Sequence, residues 1–397
     1  MSRLLHIAIF VDQHPHTLGG MQTSVRLQRK FLEAAGHRVT IVSPTRRGDA
    51  SSDSALVGLP SLPLGAGEYA WTVPGRASDR SLERQLADGP PVDVVHVQAD
   101  FWQAVTGYRF AERHGLPLVH TMHNRLDVGL EATVPFPAAI QRFFGALQKR
   151  LLGVQGPAAV DAWEFLRNFA ANADAVTAPS SHFARLLEDR GVFDAVDVIP
   201  NGLDDAVAAE LLATPKPARA GRIRLAWIGR FSPEKRLLPF LESVRRSGID
   251  AEVHVFGDGA ERRRAEAQAR RISAADIVFR GTVPYREMLA ELRAADALVQ
   301  TSQGFETQGM TVFEAAALGT PTILSDHRLA ADLPEGSYWL TPDGTVDGLA
   351  TALGEANNRL RSAGSAPMDA LDATSLLQSR HTRTMVGVYA RALGARN

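Results

Sequence analysis

The chain has 397 residues and no cysteine. That absence excludes a disulfide framework, a thiol nucleophile and a thiolate-held metal. Long hydrophobic runs are missing too, and no stretch nears the roughly 18 apolar residues that read as a membrane span. The opening MSRLLHIAIFVDQHP has a short apolar run that stops at Asp12 without a small-residue cleavage site. It reads as a first strand, not a signal peptide, and the expected location is the cytoplasm. Neither sign of charge dominates: 43 basic residues face 44 acidic ones, and both halves are nearly neutral. A basic footprint for nucleic acid is therefore absent. No Asp-x-Asp pair occurs, so a metal clamp on a diphosphate has no evident ligands. In FGDGAER a dinucleotide fingerprint would need glycine where Arg262 stands, which disfavours a dehydrogenase.

What is present is a repeated strand-then-helix pattern. LLHIAIFV, HRVTIVSP, VDVVHVQ, LPLVHTM, ADAVTAPS and VDVIPNG are short apolar strands separated by stretches long enough for crossover helices. Residues 213–221, rich in Pro, Ala and basic side chains, read as a linker. The alternation then restarts with IRLAWIG, AEVHVFG, DIVFRG, DALVQTS and PTILSD. Such patterns specify parallel sheets covered on both faces. The expected organisation is an N-terminal domain over 1–212, a C-terminal domain over 213–378, and a terminal helix over 379–397 packing back toward the first domain. Both domains are α/β, doubly wound and Rossmann-like, facing a central cleft, with ligands beyond the carboxyl ends of the strands.

The strand-end loops should then carry the chemistry. Gly19 and Gly20 precede a helix, where they form either a plain tight turn or an anion-binding one. In GRFSPEKR, Arg230 and Lys235 flank Pro233 at the expected start of a helix. Two cations at a positive helix end call for an anion, and a diphosphate fits, with solvated surface charge as the plain alternative. In TSQGFETQGMTVFEAAALGTP, Glu306 falls in a loop and Glu314 about one turn into the next helix. Helical side chains lean toward the N-terminus, so Glu314 can reach a ligand hydroxyl there. His96, His120 and His123 lie at neighbouring strand ends, as either hydrogen-bonded structural residues or catalytic ones.

Taken together, GRFSPEK and ETQGMTVFE, with HTMHN, APSSHFARLLEDRGV and VIPNGLD, resemble the retaining glycosyltransferases of family 4, which have the GT-B fold. The resemblance implies a hexose transferred from a UDP- or GDP-linked sugar, with no cofactor and no required metal. Arg230 and Lys235 would hold the diphosphate, helped by backbone N–H groups near Gly19 and Gly20 and at Gly309, Met310 and Thr311. Glu314 would bind the ribose and Glu306 the sugar hydroxyls, while the base would meet backbone near Val283 in GTVPY. His123 would contact the donor sugar near the reacting carbon, and His96, Asp100 and His120 would line the acceptor side. Two departures stand out: the common EGFG is ETQG here, and HTxHT ends in Asn124.

The resemblance is strongest to transferases that glycosylate lipids such as diacylglycerol or phosphatidylinositol, which implies a lipid acceptor and a peripheral place at the inner membrane face. In AIQRFFGALQKRLLG, Ile140, Phe143, Phe144, Leu147 and Leu151 recur at helical spacing beside Arg142, Lys149 and Arg150. That pattern fits an interfacial helix, a helix covering an acceptor pocket, or an amphipathic helix packed on its sheet. A transferase acting on a soluble molecule or polysaccharide, an epimerase of the same shape, and a non-catalytic nucleotide-sugar binder are the competing readings.

Overall fold

The apolar run at the start of the chain forms β1 (His6–Val11), buried along its whole length, as expected of an inner parallel strand. A computed structural model describes residues 3–17, 19–45, 53–64, 69–133, 136–155, 157–216, 221–362 and 373–396. These residues fall into two units, Met1–Asn201 with His381–Asn397, and Gly202–Arg380.

In the first unit β1 is followed by α1 (Gly20–Ala34), β2 (Arg38–Pro44), β3 (Leu56–Leu59), β4 (Ser61–Leu64), β5 (Tyr69–Thr72), α2 (Arg76–Leu86) and β6 (Val94–Gln98). Then come α3 (Trp102–His114), β7 (Leu118–Thr121), α4 (Leu126–Thr133), α5 (Pro137–Leu152), α6 (Ala162–Ala170), β8 (Ala175–Ala178), α7 (Ser181–Asp189) and β9 (Asp197–Val198). Seven strands form a parallel sheet in the order β3-β2-β1-β6-β7-β8-β9, and β4 pairs with β5 as a separate antiparallel ribbon. Strand order reverses between β1 and β6. In open α/β sheets a crevice opens at such a reversal, beyond the carboxyl ends of the strands.

The second unit runs α8 (Asp205–Ala213), β10 (Ile223–Ile228), α9 (Leu237–Ser247), β11 (Ala251–Phe256), α10 (Arg262–Ala269), β12 (Asp276–Gly281), α11 (Tyr285–Ala294) and β13 (Ala297–Gln300). It continues with α12 (Met310–Ala317), β14 (Thr322–Leu324), β15 (Tyr338–Leu340) and α13 (Val346–Ser362). Its six parallel strands are ordered β12-β11-β10-β13-β14-β15, so the reversal lies between β10 and β13. The terminal helix α14 (Gln378–Gly394) places Met385, Val388, Tyr389 and Ala392 in the core of the first unit.

The first unit ends at Asn201 rather than at residue 212, because Leu203 and Ala208 are buried in the second unit's core with Leu289 and Leu292 of α11. Of the expected linker 213–221, residues 217–220 lie outside the described residues. Strands β3, β4 and β5 occupy a stretch in which the sequence pattern showed none.

One correction concerns the site. The sequence suggested a single helix from Pro233, with Lys235 in its first turn. Instead Pro233–Lys235 make a 3-10 turn, Arg236 takes φ 58°, and α9 starts at Leu237. Pro239 is the reason. In a continuous helix it would lack the N–H for the Lys235 carbonyl and its ring would collide there; in the first turn of α9 it is tolerated. The Lys235 carbonyl accepts from Thr301 Oγ1 instead, at 2.7 Å.

Candidate active site

In the second unit the switch point brings together the loops after β10 and β13. Trp227 of β10 donates from Nε1 to Thr301 Oγ1 at 2.8 Å, and Thr301 in turn holds Lys235. The Lys235 ammonium then lies 2.5 Å from Glu306 Oε1 and 5.5 Å from the Phe305 ring centre. Gln300 Nε2 adds a longer bond to the same carboxylate at 3.3 Å. Burial alone would raise the Glu306 pKa, but Lys235, Ser302 and Gln300 outweigh it and hold the group below its usual range. Glu306 is therefore a fixed anion in a poorly solvated place. Arg230 is exposed, and among the described residues its side chain has no ion-pair partner.

The loop bearing Arg230 is braced from β11. Phe231 N–H donates to the Asp258 carbonyl at 2.9 Å, and Glu261 N–H to the Phe231 carbonyl at 3.0 Å. A Cβ on Gly259, whose φ is +154°, would sit 2.6 Å from the Phe231 carbonyl oxygen. The glycines of FGDG thus permit close packing of two backbones and have no fingerprint role.

After β13, Gly309 adopts φ 77° at the N-cap of α12 and has no side chain of its own to cap it; N–H groups at a helix start suit an anion. Met310 and Thr311 form its first turn and are half-buried. Glu314 is 4% exposed and accepts from the Tyr285 hydroxyl at 2.6 Å. Burial pushes its pKa up to about 7, against the pull of Tyr285. Val283 is half-buried just before α11, which Tyr285 begins. Sequence reasoning missed Tyr285 and also Arg236, which bridges Gln303 Oε1 at 2.7 Å and the Gly344 carbonyl at 2.9 Å. The only signal for Tyr285 was its place in GTVPY. An open groove of about 750 Å³ between α9 and α10 contains none of the expected site residues.

In the first unit, Gly19 and Gly20 open α1, and a Cβ on Gly19 would collide with the Gln22 side chain. The histidines separate. His96 and His120 are wholly buried: His96 bonds Thr121 Oγ1 and the Tyr389 hydroxyl, each at 2.7 Å, and His120 bonds Tyr108 and the Ala99 carbonyl, each at 3.0 Å. Both rings are fully engaged inside the sheet, so neither can line an acceptor surface, and that expectation is corrected. His123, 9% exposed, bonds Gln98 Oε1 at 3.1 Å. The amide oxygen only accepts, so Nε2 carries the proton. Burial lowers the His123 pKa to about 4, which keeps the ring neutral near pH 7.

Asp100 is also buried, with its Oδ2 held by the Asn124 amide and, among the described residues, no partner for its Oδ1. Burial raises it to about 7, with the Asp12 carboxylate adding to the rise. Asp12, missed in the sequence, accepts N–H bonds from Asp100, Phe101 and Gln103 at 2.8, 2.9 and 3.0 Å and so caps α3. Asn124, where the motif departs from HTxHT, is thus the tether of the strand-end loop bearing His123. Among the described residues no group of His, Asp and Glu side chains is arranged to hold a metal ion.

Two doubly wound units with charged switch-point loops define the GT-B class of glycosyltransferase. The chain superposes on HepE of Anabaena, solved in complex with UDP and glucose, with a TM-score of 0.67 and 16% identity, covering 97% of this chain and 99% of that one. Residues 18–207 match Glycosyltransferase Family 4 and residues 222–358 match Glycosyl transferases group 1; the chain belongs to the family 4 glycosyltransferases. It is 26% identical over 336 residues to the alpha-monoglucosyldiacylglycerol synthase of Streptococcus pneumoniae, covering 80% of this chain and 70% of the relative. It is 27% identical over 345 residues to the phosphatidyl-myo-inositol mannosyltransferase of Mycolicibacterium smegmatis, covering 84% and 80%.

Proposed function

We propose that this glycosyltransferase moves a hexose from a UDP- or GDP-linked sugar to a lipid hydroxyl, with retention at the anomeric carbon. The observation that carries the donor reading is the Lys235–Glu306 pair, with the glycine-led N-terminus of α12 four residues further along the chain. A half-buried carboxylate already fixed by a cation suits the hydroxyls of a sugar, and the exposed Arg230 with the α12 N–H groups suits a diphosphate. Glu314, one turn into α12, accepts the ribose hydroxyls. HepE, solved with UDP and glucose, supports a nucleotide-linked donor, and the diacylglycerol and phosphatidylinositol relatives support a lipid acceptor.

The C1–O bond to the diphosphate breaks through an oxocarbenium-like transition state. The acceptor oxygen bonds C1 on the same face, and its proton passes to the departing phosphate oxygen. Arg230, Lys235 and the α12 N–H groups stabilise the charge left on that phosphate, so the reaction needs no metal clamp. Neutral His123 orients the donor sugar and takes no proton. Glu306→Ala and Arg230→Ala should each lose turnover by roughly 100-fold or more, the usual effect of removing one electrostatic stabiliser. Wild-type-like transfer by either variant would refute the assignment, and transfer abolished by chelation would refute metal independence.

A further inference from the structure

Among the described residues only two that are not glycine hold a left-handed backbone, Phe136 and Arg236, and Arg236 adjoins Lys235 of the site. Glycine takes the φ of 58° freely, whereas a residue with a Cβ is crowded there. The position has a second unfavourable feature. The Arg236 guanidinium is half-buried, burial pulls its pKa down, and among the described residues no carboxylate pairs with it. Strain and a partly desolvated cation, kept together beside a site, point to a task.

The hydrogen bonds show what that task is. Arg236 Nη1 donates to Gln303 Oε1 at 2.7 Å, and Nη2 donates to the Gly344 carbonyl at 2.9 Å. Gln303 Nε2 donates to the same carbonyl at 2.9 Å, so the three residues close a ring. The Gln303 amide is used at both ends, its oxygen accepting and its nitrogen donating. Gly344 lies between β15 and α13, and a Cβ there would come 2.7 Å from Gln303 Nε2, so only glycine allows the approach. The ring therefore clasps the loops that follow β10, β13 and β15. Gln303 stands three residues before Glu306. On one side of it Thr301 is pinned to the Lys235 carbonyl, and on the other Gly304 N–H donates to Asp326 Oδ2 at 2.7 Å. One turn of backbone thus aims two adjacent cations at two points of the same loop, Lys235 at Glu306 and Arg236 at Gln303.

We infer that Arg236 is a positioning residue: through Gln303 and Gly344 it fixes the loop that presents Glu306 to the donor sugar, and it touches no ligand itself. Both of its terminal nitrogens are engaged with neutral acceptors of the protein, which suits a clasp better than a contact to the diphosphate. Misplacing such a loop by about 1 Å can cost about 100-fold in rate. What the loop does rests on the donor reading above; the clasp itself does not.

The test uses the full chain with Arg236→Gly, Arg236→Lys and Gln303→Leu. Arg236→Gly should keep the fold, since glycine suits the left-handed backbone, yet kcat/KM for the nucleotide sugar that wild type prefers should fall roughly 10- to 100-fold. Arg236→Lys should fall as far, because an ammonium keeps the charge but cannot span two acceptors as the planar fork does. Gln303→Leu should show the same loss, and the double variant of Arg236→Gly with Gln303→Leu should be no worse than either change alone. Calorimetric binding of UDP and of GDP should stay at the wild-type level, because the clasp acts at the sugar end. Amide hydrogen exchange should speed up over residues 302–309 and stay unchanged in α9 and α13. Wild-type turnover by Arg236→Gly, additive losses in the double variant, or nucleotide affinity lost in step with turnover would each overturn the inference, the last by making Arg236 a ligand contact. Faster exchange throughout the second unit would also overturn it, in favour of a general effect on stability. Wild type that turns over no nucleotide sugar would count against the proposed function, and exchange over residues 302–309 would still decide the clasp.

Discussion

Replacing Glu314 with glutamine should make the protein more stable above neutral pH and leave it nearly unchanged in mild acid. The carboxyl is buried and accepts a hydrogen bond from the Tyr285 hydroxyl. Its pKa rises from 4.5 to about 7. Between those values the folded protein holds a proton that the unfolded chain has released, so stability falls as pH climbs through the window. Below 4.5 both states are protonated and nothing is lost; above about 7 the loss is complete. The interval converts to about 3 kcal/mol, an upper figure, since relaxation around a buried charge lowers it. Glutamine keeps an acceptor for Tyr285 but has no proton to lose, so the variant should gain about 1–3 kcal/mol at pH 8 and almost none at pH 4.5. Urea unfolding at both pH values, with wild type and variant side by side, measures the difference; Asp100, which also titrates near 7, cancels in the comparison. Parallel stability curves would show that Glu314 is not held protonated, and the account of its environment would fail. The same substitution should weaken nucleotide binding, because an amide accepts ribose hydroxyls less strongly than a carboxylate.

Lys235→Ala should strand the Glu306 carboxylate and cost about 1–3 kcal/mol of stability, below the scale for a fully buried pair because both partners are half-buried; the double variant with Glu306→Gln should recover much of that in chemical unfolding. Gly259→Ala forces a Cβ against the Phe231 backbone. It should raise the donor KM by displacing the Arg230 loop, at a strain of about 1–3 kcal/mol. With His123 lowered to about 4 and lost from its protonated form well below neutrality, the pH-rate profile should show no inflection from it between pH 5 and 8. Asn124→Ala frees Asp100, and it should lower kcat more than it changes the donor KM.

Most of the parallel strands were legible because their apolar runs are short, continuous and evenly interrupted, whereas β3 (Leu56–Leu59) and β15 (Tyr338–Leu340), both at sheet edges, were not. The ribbon β4–β5 was hidden, since Ser61–Leu64 and Tyr69–Thr72 are short and flanked by glycine and proline. The break before α9 was written in Pro239, but the apolar spacing on either side masked it. Charge type located Arg230, Lys235, Glu306 and Glu314, whereas their partners Thr301, Gln300 and Tyr285 are polar residues that no pattern distinguishes from solvent-facing ones. His96 and His120 looked like His123 in sequence; only burial separates two core histidines from the third. Likewise, the apolar spacing of α5 could not reveal that glutamines would take the inward face.

The central claim is donor transfer with retention. The direct measurement is incubation of the full chain with a panel of UDP- and GDP-linked hexoses and a diacylglycerol or phosphatidylinositol acceptor, followed by NMR of the anomeric proton of the product. The account predicts one preferred nucleotide sugar and a product whose anomeric configuration matches the donor's. An inverted product, or a free epimerised sugar released without acceptor, would contradict it.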